Sequence, residues 1–409
     1  MARTVGEKAS RVTLLVLGLA AVAGPPFGCD GGHNNGPAAA GETTTDAVLV
    51  DLLSAVGQEV VLPTLDEVIQ SADDLSVATE AWAQATEGGD LGDAEQLAAQ
   101  DAFYAAMRAW QMVEVHQLGP AAPSGKAIGG EDIRDAAYSW PTVNPCRVDQ
   151  ETVAQAWDDP DFYSGNLVNV YGLDAIGYLL FAPANENTCV DLFDINSEGT
   201  WDDLGAQGVA TNRAQYAHAL SVHYTGTLED LRDAWAPEGL DFSGVLGSAP
   251  NETYATATDA LNAVFNALFY LETVTKDDKL ARPMGKRDCD AQACPSDVED
   301  PWSGYSIDWV GSNLDGFERL FTGGEGTGMD DLLVAWGHAD LAERMLQNID
   351  AAQAVVEQTE GQLSDLVSTD PEAVAPLYAA IKAITDDLKG DLATVLVLEI
   401  PSEAAGDND

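Results

Sequence analysis

An inward-facing carboxylate is the first feature of this sequence that could do chemistry. Residues 93–118 have the spacing of an amphipathic helix, and five side chains separated by four, three, four and three positions share one face: Phe103, Met107, Trp110, Glu114 and Gln117. A carboxylate on an apolar face must meet a cation, a hydrogen-bond donor or a metal ion, because an unpaired buried charge is strongly unfavourable. Glu114 is therefore either a ligand-binding residue or the structural partner of a basic residue such as Arg134 or Arg147.

A second acidic residue lies in a nearly apolar stretch. Residues 167–181 predict a buried central helix in which Asp174 is the only formal charge. Gly172 and Gly177 flank this charge, although a glycine inside a helix costs about 1 kcal/mol. We therefore expect a neighbouring helix or a ligand to approach closely here. Asp174 is either an oxygen ligand for a hard cation or a member of an internal salt bridge or helix cap.

Helical periodicity dominates the chain that must position these residues. Helices are predicted over residues 46–71, 75–86, 93–118, 151–156, 167–181, 211–234, 253–276, 307–321, 329–366 (with a break left open) and 371–398. The predicted fold class is all-α, with two helical-bundle domains of the four-helix-bundle type at residues 46–200 and 201–400. An acidic tail follows at residues 401–409.

The N-terminal residues predict export. Arg3, Lys8 and Arg11 precede a short apolar run at residues 12–23, which is too short to span a bilayer and is typical of a signal peptide, assigned here to residues 1–28. The sequence Pro-Phe-Gly-Cys that ends at Cys29 resembles a lipobox. We expect Cys29 to be lipidated and residues 29–45 to form a flexible tether, which makes the protein a membrane-anchored lipoprotein of the bacterial envelope, in the periplasm or at the outer membrane. An ordinary cleaved signal with an incidental cysteine is the alternative.

The charge of the chain excludes some partners. A formal net charge of -50 over 409 residues repels nucleic-acid phosphates and anionic headgroups, so no DNA, RNA or peripheral lipid partner is expected. Such a surface attracts cations only diffusely, and solubility in a salty medium is an equally good explanation of the charge.

The cysteines agree with an oxidising compartment. Setting Cys29 aside leaves four of the five cysteines, an even number that suggests two disulfides. Only four residues separate Cys289 from Cys294, so these two are expected to pair, which leaves Cys146 with Cys189. A zinc site is disfavoured because no CxxC motif or nearby histidine pair accompanies them.

Several blocks of the sequence resemble the imelysin-like family, also called the M75 peptidase family. The stretch from Gly172 to Phe181 is similar to the family's GxHxxE helix, with Asp174 in place of the histidine and Gly177 in place of the glutamate. Other blocks on either side of this stretch occur in the same order as in the family. They contain Trp110 and Glu114, Ser139 and Trp140, Glu299 and Ser303, and Asn313. The resemblance implies two bundle domains, a ligand-binding site between them near the motif to which the residues named from these blocks belong, and a role in iron uptake.

Three functions follow from these residues. In the first, Glu114, Asp174 and Glu299 converge as a carboxylate site for iron or another hard cation. Alternatively, a cleft between the two bundles takes an iron-bearing ligand. In both cases the protein works with an envelope transport partner. In the second, the cleft has lost its metal site and recognises a peptide, glycan or partner envelope protein through Trp110, Trp140 and Trp302. The third is a divergent M75 metallopeptidase, which is doubtful because the motif's histidine and glutamate are replaced, and no catalytic residue is assigned.

Overall fold

The computed structural model describes residues 42–183 and 186–405, with only the backbone of residues 42–45. The predicted signal peptide, Cys29 and most of the tether therefore lie outside the described residues. The α-helices are α1 (Glu42–Ala55), α2 (Leu62–Glu87), α3 (Asp93–Glu114), α4 (Ile133–Ala137), α5 (Pro145–Ala154), α6 (Phe162–Gly165), α7 (Leu173–Phe181), α8 (Asp194–Ser197), α9 (Thr200–Trp235), α10 (Phe242–Gly247), α11 (Ala257–Leu268), α12 (Ser306–Thr322), α13 (Met329–Ala335), α14 (Ala339–Gln358), α15 (Leu363–Thr369), α16 (Pro371–Asp387), α17 (Ala393–Leu396) and α18 (Ser402–Ala405).

Shorter helical segments complete the chain. The π-helical segments are Val56–Val61, Leu271–Ala281 and Leu388–Leu392, and the 3-10 turns are Gly119–Ala121, Ala156–Asp158, Val168–Val170 and Pro295–Asp297. No strand occurs in the described ranges, so the predicted all-α class is confirmed.

The sequence located the long helices better than their ends. The predicted helices 46–71 and 75–86 belong to one continuous helical run, which consists of α1, the π-helical segment Val56–Val61 and α2. The two predictions merge because residues 72–74, between them, contain no glycine or proline. The predicted start at residue 151 was wrong: α5 begins at Pro145, where the Asn144 side chain accepts a hydrogen bond from the Arg147 amide at 3.1 Å. The predicted helix 211–234 begins earlier, at Thr200, and the stretch 329–366 is broken into three helices.

Helix α7 differs most from its prediction. It begins at Leu173 rather than residue 167, because Gly172 has φ 94°, a conformation that ends helical geometry and favours glycine. Gly172 is therefore outside the helix, and Asp174 lies in its first turn instead of its interior. The expectation of two glycines inside the helix was wrong for Gly172 and correct for Gly177.

The packing brings α3, α7, α9 and α12 around one region. Helix α2 packs against α3 and α9, α3 packs against α7 and α12, and α7 also contacts α9. The π-helical segment Leu271–Ala281 packs against α12 and α16. One connected apolar core includes residues from both predicted halves, and α9 begins at the predicted boundary, at Thr200; the division into two bundles remains a prediction.

One helical run has the length and composition of a membrane span. This run, Asp46–Glu87, is the only such helix among the described residues. Its apolar side chains Leu65, Val68 and Leu75 are fully buried in the protein, as they are in the core helix of any large helical domain. Buried core helices have the same length and composition, so these two properties do not by themselves place the run in a bilayer.

The two predicted disulfides are present. Cys146 pairs with Cys189, which links α5 to the loop after α7, and Cys289 pairs with Cys294. Both pairings are those predicted from the number and spacing of the cysteines.

Candidate functional site

Glu114 lies at the end of α3 and meets two cations. Its carboxylate is fully buried, with Oε1 2.5 Å from Nη2 of Arg134 and Oε2 3.1 Å from Nζ of Lys279. Burial alone would raise the pKa of Glu114, but the positive charges of Lys279 and Arg134 lower it below its ordinary value. Arg134 is one of the two structural partners expected from the sequence.

Glu299 reaches the same lysine from the loop before α12. Its Oε1 accepts hydrogen bonds from the Tyr138 hydroxyl at 2.7 Å and the Gln111 amide at 2.9 Å, and lies 3.0 Å from Nζ of Lys279. Its Oε2 has no hydrogen-bond partner among the residues that the structure describes. Burial raises the pKa of Glu299, and Lys279 opposes this rise.

Lys279 is the centre of this cluster, and sequence reasoning missed it as a site residue. It projects from the π-helical segment Leu271–Ala281, and its ammonium also donates to Gln111 Oε1 at 2.5 Å and Asn313 Oδ1 at 3.0 Å. Asn313, a predicted site residue, holds Gln111 in turn through two hydrogen bonds of 2.8 Å from Nδ2, to the main-chain oxygen and to Oε1. A buried lysine with this many acceptors is fixed in position.

Asp174 is buried in a different environment. Its Oδ2 accepts a hydrogen bond from Ser139 Oγ at 2.8 Å, and its Oδ1 accepts one from the amide of Ala175 at 3.0 Å. Burial raises the pKa of Asp174 to about 7, although the hydrogen bonds and the more distant charge of Arg134 oppose the rise. No basic side chain forms an ion pair with Asp174 in the described part of the chain.

Asp300 is a second carboxylate of this kind that the sequence analysis did not single out. Its Oδ2 accepts hydrogen bonds from Ser303 Oγ and, at 3.2 Å, from Trp309 Nε1, and burial raises its pKa to about 7. Its backbone is left-handed, with φ 46°. Asp300 follows Glu299 directly in a block that resembles the family, and this adjacency is the signal that could have found it.

Gly177 connects Asp300 to helix α7. A Cβ atom added at Gly177 would lie 3.5 Å from Asp300 Oδ1 and only 2.8 Å from the Phe103 ring of α3. The close approach of a neighbouring helix, expected at this glycine, is therefore found. Asp174 lies three residues before Gly177, on the same face of α7. Asp300 therefore lies against the face of α7 that carries Asp174.

Two of the predicted tryptophans, Trp110 and Trp140, lie close to these charges. Trp110 is buried, with its ring 6.3 Å from that of Tyr138 between centroids. The Trp140 ring centroid lies 5.8 Å from Nζ of Lys279, within the range of a cation–π contact. Trp302 packs edge-on against Tyr178, at 5.1 Å between ring centroids.

The three carboxylates predicted as metal ligands are arranged in two groups. Glu114 and Glu299 share Lys279, whereas Asp174 bonds to Ser139. In residues 42–183 and 186–405, no three His, Cys, Asp or Glu side chains are grouped as a metal site. What the site offers chemically is one buried ionic cluster and, beside it, two carboxylates held by serine hydroxyls.

Comparisons with known proteins agree with the resemblance seen in the sequence. No curated protein matches the chain. Among solved structures, the chain is similar to an imelysin-like protein from Psychrobacter arcticum, with 17% identity, a TM-score of 0.65, and coverage of 87% of this chain and 97% of the other. It is also similar to a protein described as a candidate iron-regulated protein A precursor from Parabacteroides distasonis, with 14% identity, a TM-score of 0.58, and coverage of 84% and 95%.

Because the identities are low, the structural similarities establish the fold alone. The family assignment comes from the sequence: the family model of imelysin, peptidase M75, matches residues 61–390. Because this match spans most of the chain, the protein belongs to the imelysin family.

Proposed function

We propose that this chain is an exported, lipid-anchored protein of the bacterial envelope that binds iron or another hard cation at Asp174 and Asp300, as a step in iron uptake. The observation that supports the proposal most is that these two buried carboxylates have hydroxyl, amide and indole donors but, in residues 42–183 and 186–405, no ion pair with a basic side chain. Glu114 and Glu299 are already bonded to Lys279, so a metal ion would have to displace a buried ammonium to reach them.

The physical argument rests on the cost of burying charge. An ionised carboxylate without a counter-ion is unfavourable in a protein interior, and the group remains protonated instead, as the raised pKa values of Asp174 and Asp300 reflect. A cation that binds between such groups supplies the missing charge and releases their protons. Carboxylate and hydroxyl oxygens are ligands suited to hard cations such as Fe³⁺ and Ca²⁺.

Three further observations support export and a connection with iron. The N-terminal residues have the pattern of a signal peptide and lipobox, and the two disulfides suit an oxidising compartment. The Parabacteroides distasonis relative is described as iron-regulated and as a precursor.

Calorimetry on metal-free protein tests the proposal. Titration with Fe³⁺ kept soluble by a weak chelator, and with Ca²⁺ and Zn²⁺, should give saturable heat that Asp174→Asn and Asp300→Asn each weaken by at least about tenfold, as loss of a ligand or of its immediate support does. Asp340→Asn, on the exposed surface of α14, is the matched control for diffuse attraction to this acidic protein. No saturable heat, or equal losses in all three variants, would contradict cation binding at this site.

A second candidate function is recognition of a peptide, glycan or partner envelope protein without metal. The ion pairs of Glu114 and Glu299 favour it, because they neutralise two of the three predicted metal ligands with the protein's own cations. The metallopeptidase interpretation receives no such support, since Asp174 and Gly177 replace the motif's histidine and glutamate. Calorimetry separates the two candidates, because recognition without metal predicts no saturable heat with any of the ions.

A further inference from the structure

The loop between α7 and α9 exposes three large apolar side chains within four residues. Val190, Leu192 and Phe193 are 61%, 89% and 44% exposed. A single exposed apolar residue is ordinary on a protein surface, but a contiguous group marks a site of interaction.

The loop holds these side chains in a fixed position. Cys189 forms a disulfide with Cys146 of α5, and the main-chain amide and hydroxyl of Thr188 both donate to Oδ2 of Asp149, at 2.8 and 2.9 Å. Asn196 donates to the carbonyl of Cys189 at 2.8 Å from the other side. A partner that binds a segment already ordered in this way avoids most of the entropy cost of ordering it.

A surface pocket lies beside two of the three residues. Val190 and Phe193 line a surface pocket of about 390 Å³ together with Asn144, Arg147 and Gln150. The exposed group therefore borders a concave surface.

The charge around the loop restricts what can cover it. Residues 186–203 contain no lysine or arginine and six acidic residues: Glu186, Asp191, Asp194, Glu198, Asp202 and Asp203. A second copy of this chain would bring its own negative charge against them, and an anionic membrane would do the same. A basic protein surface has the complementary charge.

We propose that Val190, Leu192 and Phe193 form a docking tip that inserts into an apolar pocket, ringed by lysine and arginine side chains, on a partner protein. The docking tip directly precedes α8, supplies the apolar contact, and is held in place by the disulfide and Asp149. The acidic residues around it set orientation and rate of association. This surface does not depend on cation binding at Asp174 and Asp300.

Site-specific cross-linking in host cells that produce the full chain tests the proposal. A photo-reactive amino acid is placed at position 192 and, as the matched control, at position 240. Leu240 is similarly exposed, at 70%, but follows the other end of α9. The expected result is a cross-link to a second protein from position 192 that position 240 does not give.

The cross-linked protein is then purified and its affinity measured directly. Leu192→Ser should weaken binding at least about tenfold, the effect typical of a central contact residue, and Leu240→Ser should not. Because both residues are largely exposed, neither variant should change the unfolding transition. Higher salt should slow association with the wild-type chain.

Four outcomes would overturn the proposal. They are no product at position 192 beyond that at position 240, a product that is a second copy of this chain, binding that is insensitive to Leu192→Ser or to salt, and attachment to lipid. For the last, flotation with vesicles of phosphatidylethanolamine and phosphatidylglycerol that requires Leu192 would show that the surface meets a membrane instead.

Discussion

The ammonium of Lys279 lies 3.1 Å from the Oε2 atom of Glu114, and both side chains are almost completely buried. The same ammonium lies 3.0 Å from Glu299 Oε1, so one positive charge is shared by two carboxylates in the protein interior. Charges in such a place are held by their partners rather than by water, and each depends on the others for its solvation.

Removing this lysine should therefore destabilise the fold strongly. Lys279→Met keeps much of the side-chain volume but leaves Glu114 and Glu299 facing each other with less compensation. We expect a loss of about 3–5 kcal/mol in the free energy of unfolding, measured by denaturant titration. Lys382→Met is the control, because the Lys382–Asp386 pair at the surface of α16 should be worth less than about 1 kcal/mol. Equal losses in the two variants would show that the buried cluster has no special energetic role.

The raised pKa of Asp174 should make stability depend on pH. Its pKa is about 7 in the folded chain, against an ordinary 3.8, so between these values the folded chain binds more protons than the unfolded chain. Stability therefore falls as pH rises through this window and does not recover above it. Asp174→Asn can keep the hydrogen bonds to Ser139 and Ala175 but cannot ionise.

Unfolding measured on both sides of the window checks this sign. The stability of Asp174→Asn relative to wild type should be more favourable at about pH 8 than at about pH 5, by roughly 2–3 kcal/mol. The exposed variant Asp340→Asn should show no comparable change. A difference that does not vary with pH, or that varies in the opposite direction, would mean that Asp174 is ionised in the folded protein throughout.

Helical architecture could be read from the sequence because apolar spacing is a local property. The stripe that contains Trp110 and Glu114 is buried as its spacing predicted, and α3 begins at the predicted residue, Asp93. The start of α7 could not be read in the same way. It depends on the positive φ of Gly172, and glycine is compatible with both a helix interior and a helix boundary.

The site was predictable only in part, because its contacts join distant parts of the chain. Glu114 and Asp174 stood out as single charges on apolar faces, but nothing local shows that Lys279 would meet Glu114 across 165 positions. Lysine is rarely buried, so the residue type gave no reason to expect Lys279 in the protein interior. Its segment is also π-helical, and the i+5 hydrogen bonding of such a segment shifts the faces that α-helical spacing would assign.

The two disulfides should contribute unequally to stability. Cys146 and Cys189 are 43 positions apart and Cys289 and Cys294 only five, and in the chain-entropy description a cross-link restricts the unfolded chain more when it closes a longer loop. We expect Cys146→Ser with Cys189→Ser to cost about 4 kcal/mol and Cys289→Ser with Cys294→Ser about 2 kcal/mol. Thermal and denaturant unfolding of the two double variants measures the difference, and the reverse order would contradict the loop-length argument.

Gly177 should resist substitution even though it lies inside a helix. Replacing a helical glycine by alanine ordinarily stabilises by about 1 kcal/mol. At position 177, however, the new methyl group would lie 2.8 Å from the ring of Phe103, which is fully buried and cannot move aside cheaply. We expect Gly177→Ala to be net destabilising, because overpacking of about 1–3 kcal/mol exceeds the gain in helix propensity.

Gly226 provides the matched control within helix α9. A Cβ atom added there meets no atom of the described residues within 4 Å, so Gly226→Ala should stabilise the protein by about 0.5–1 kcal/mol. Opposite signs for the two variants in denaturant unfolding would show that position 177 is kept small by the approach of α3. If both variants stabilise, the Phe103 side chain adapts, and there is room on this face of α7 for a larger residue beside Asp300.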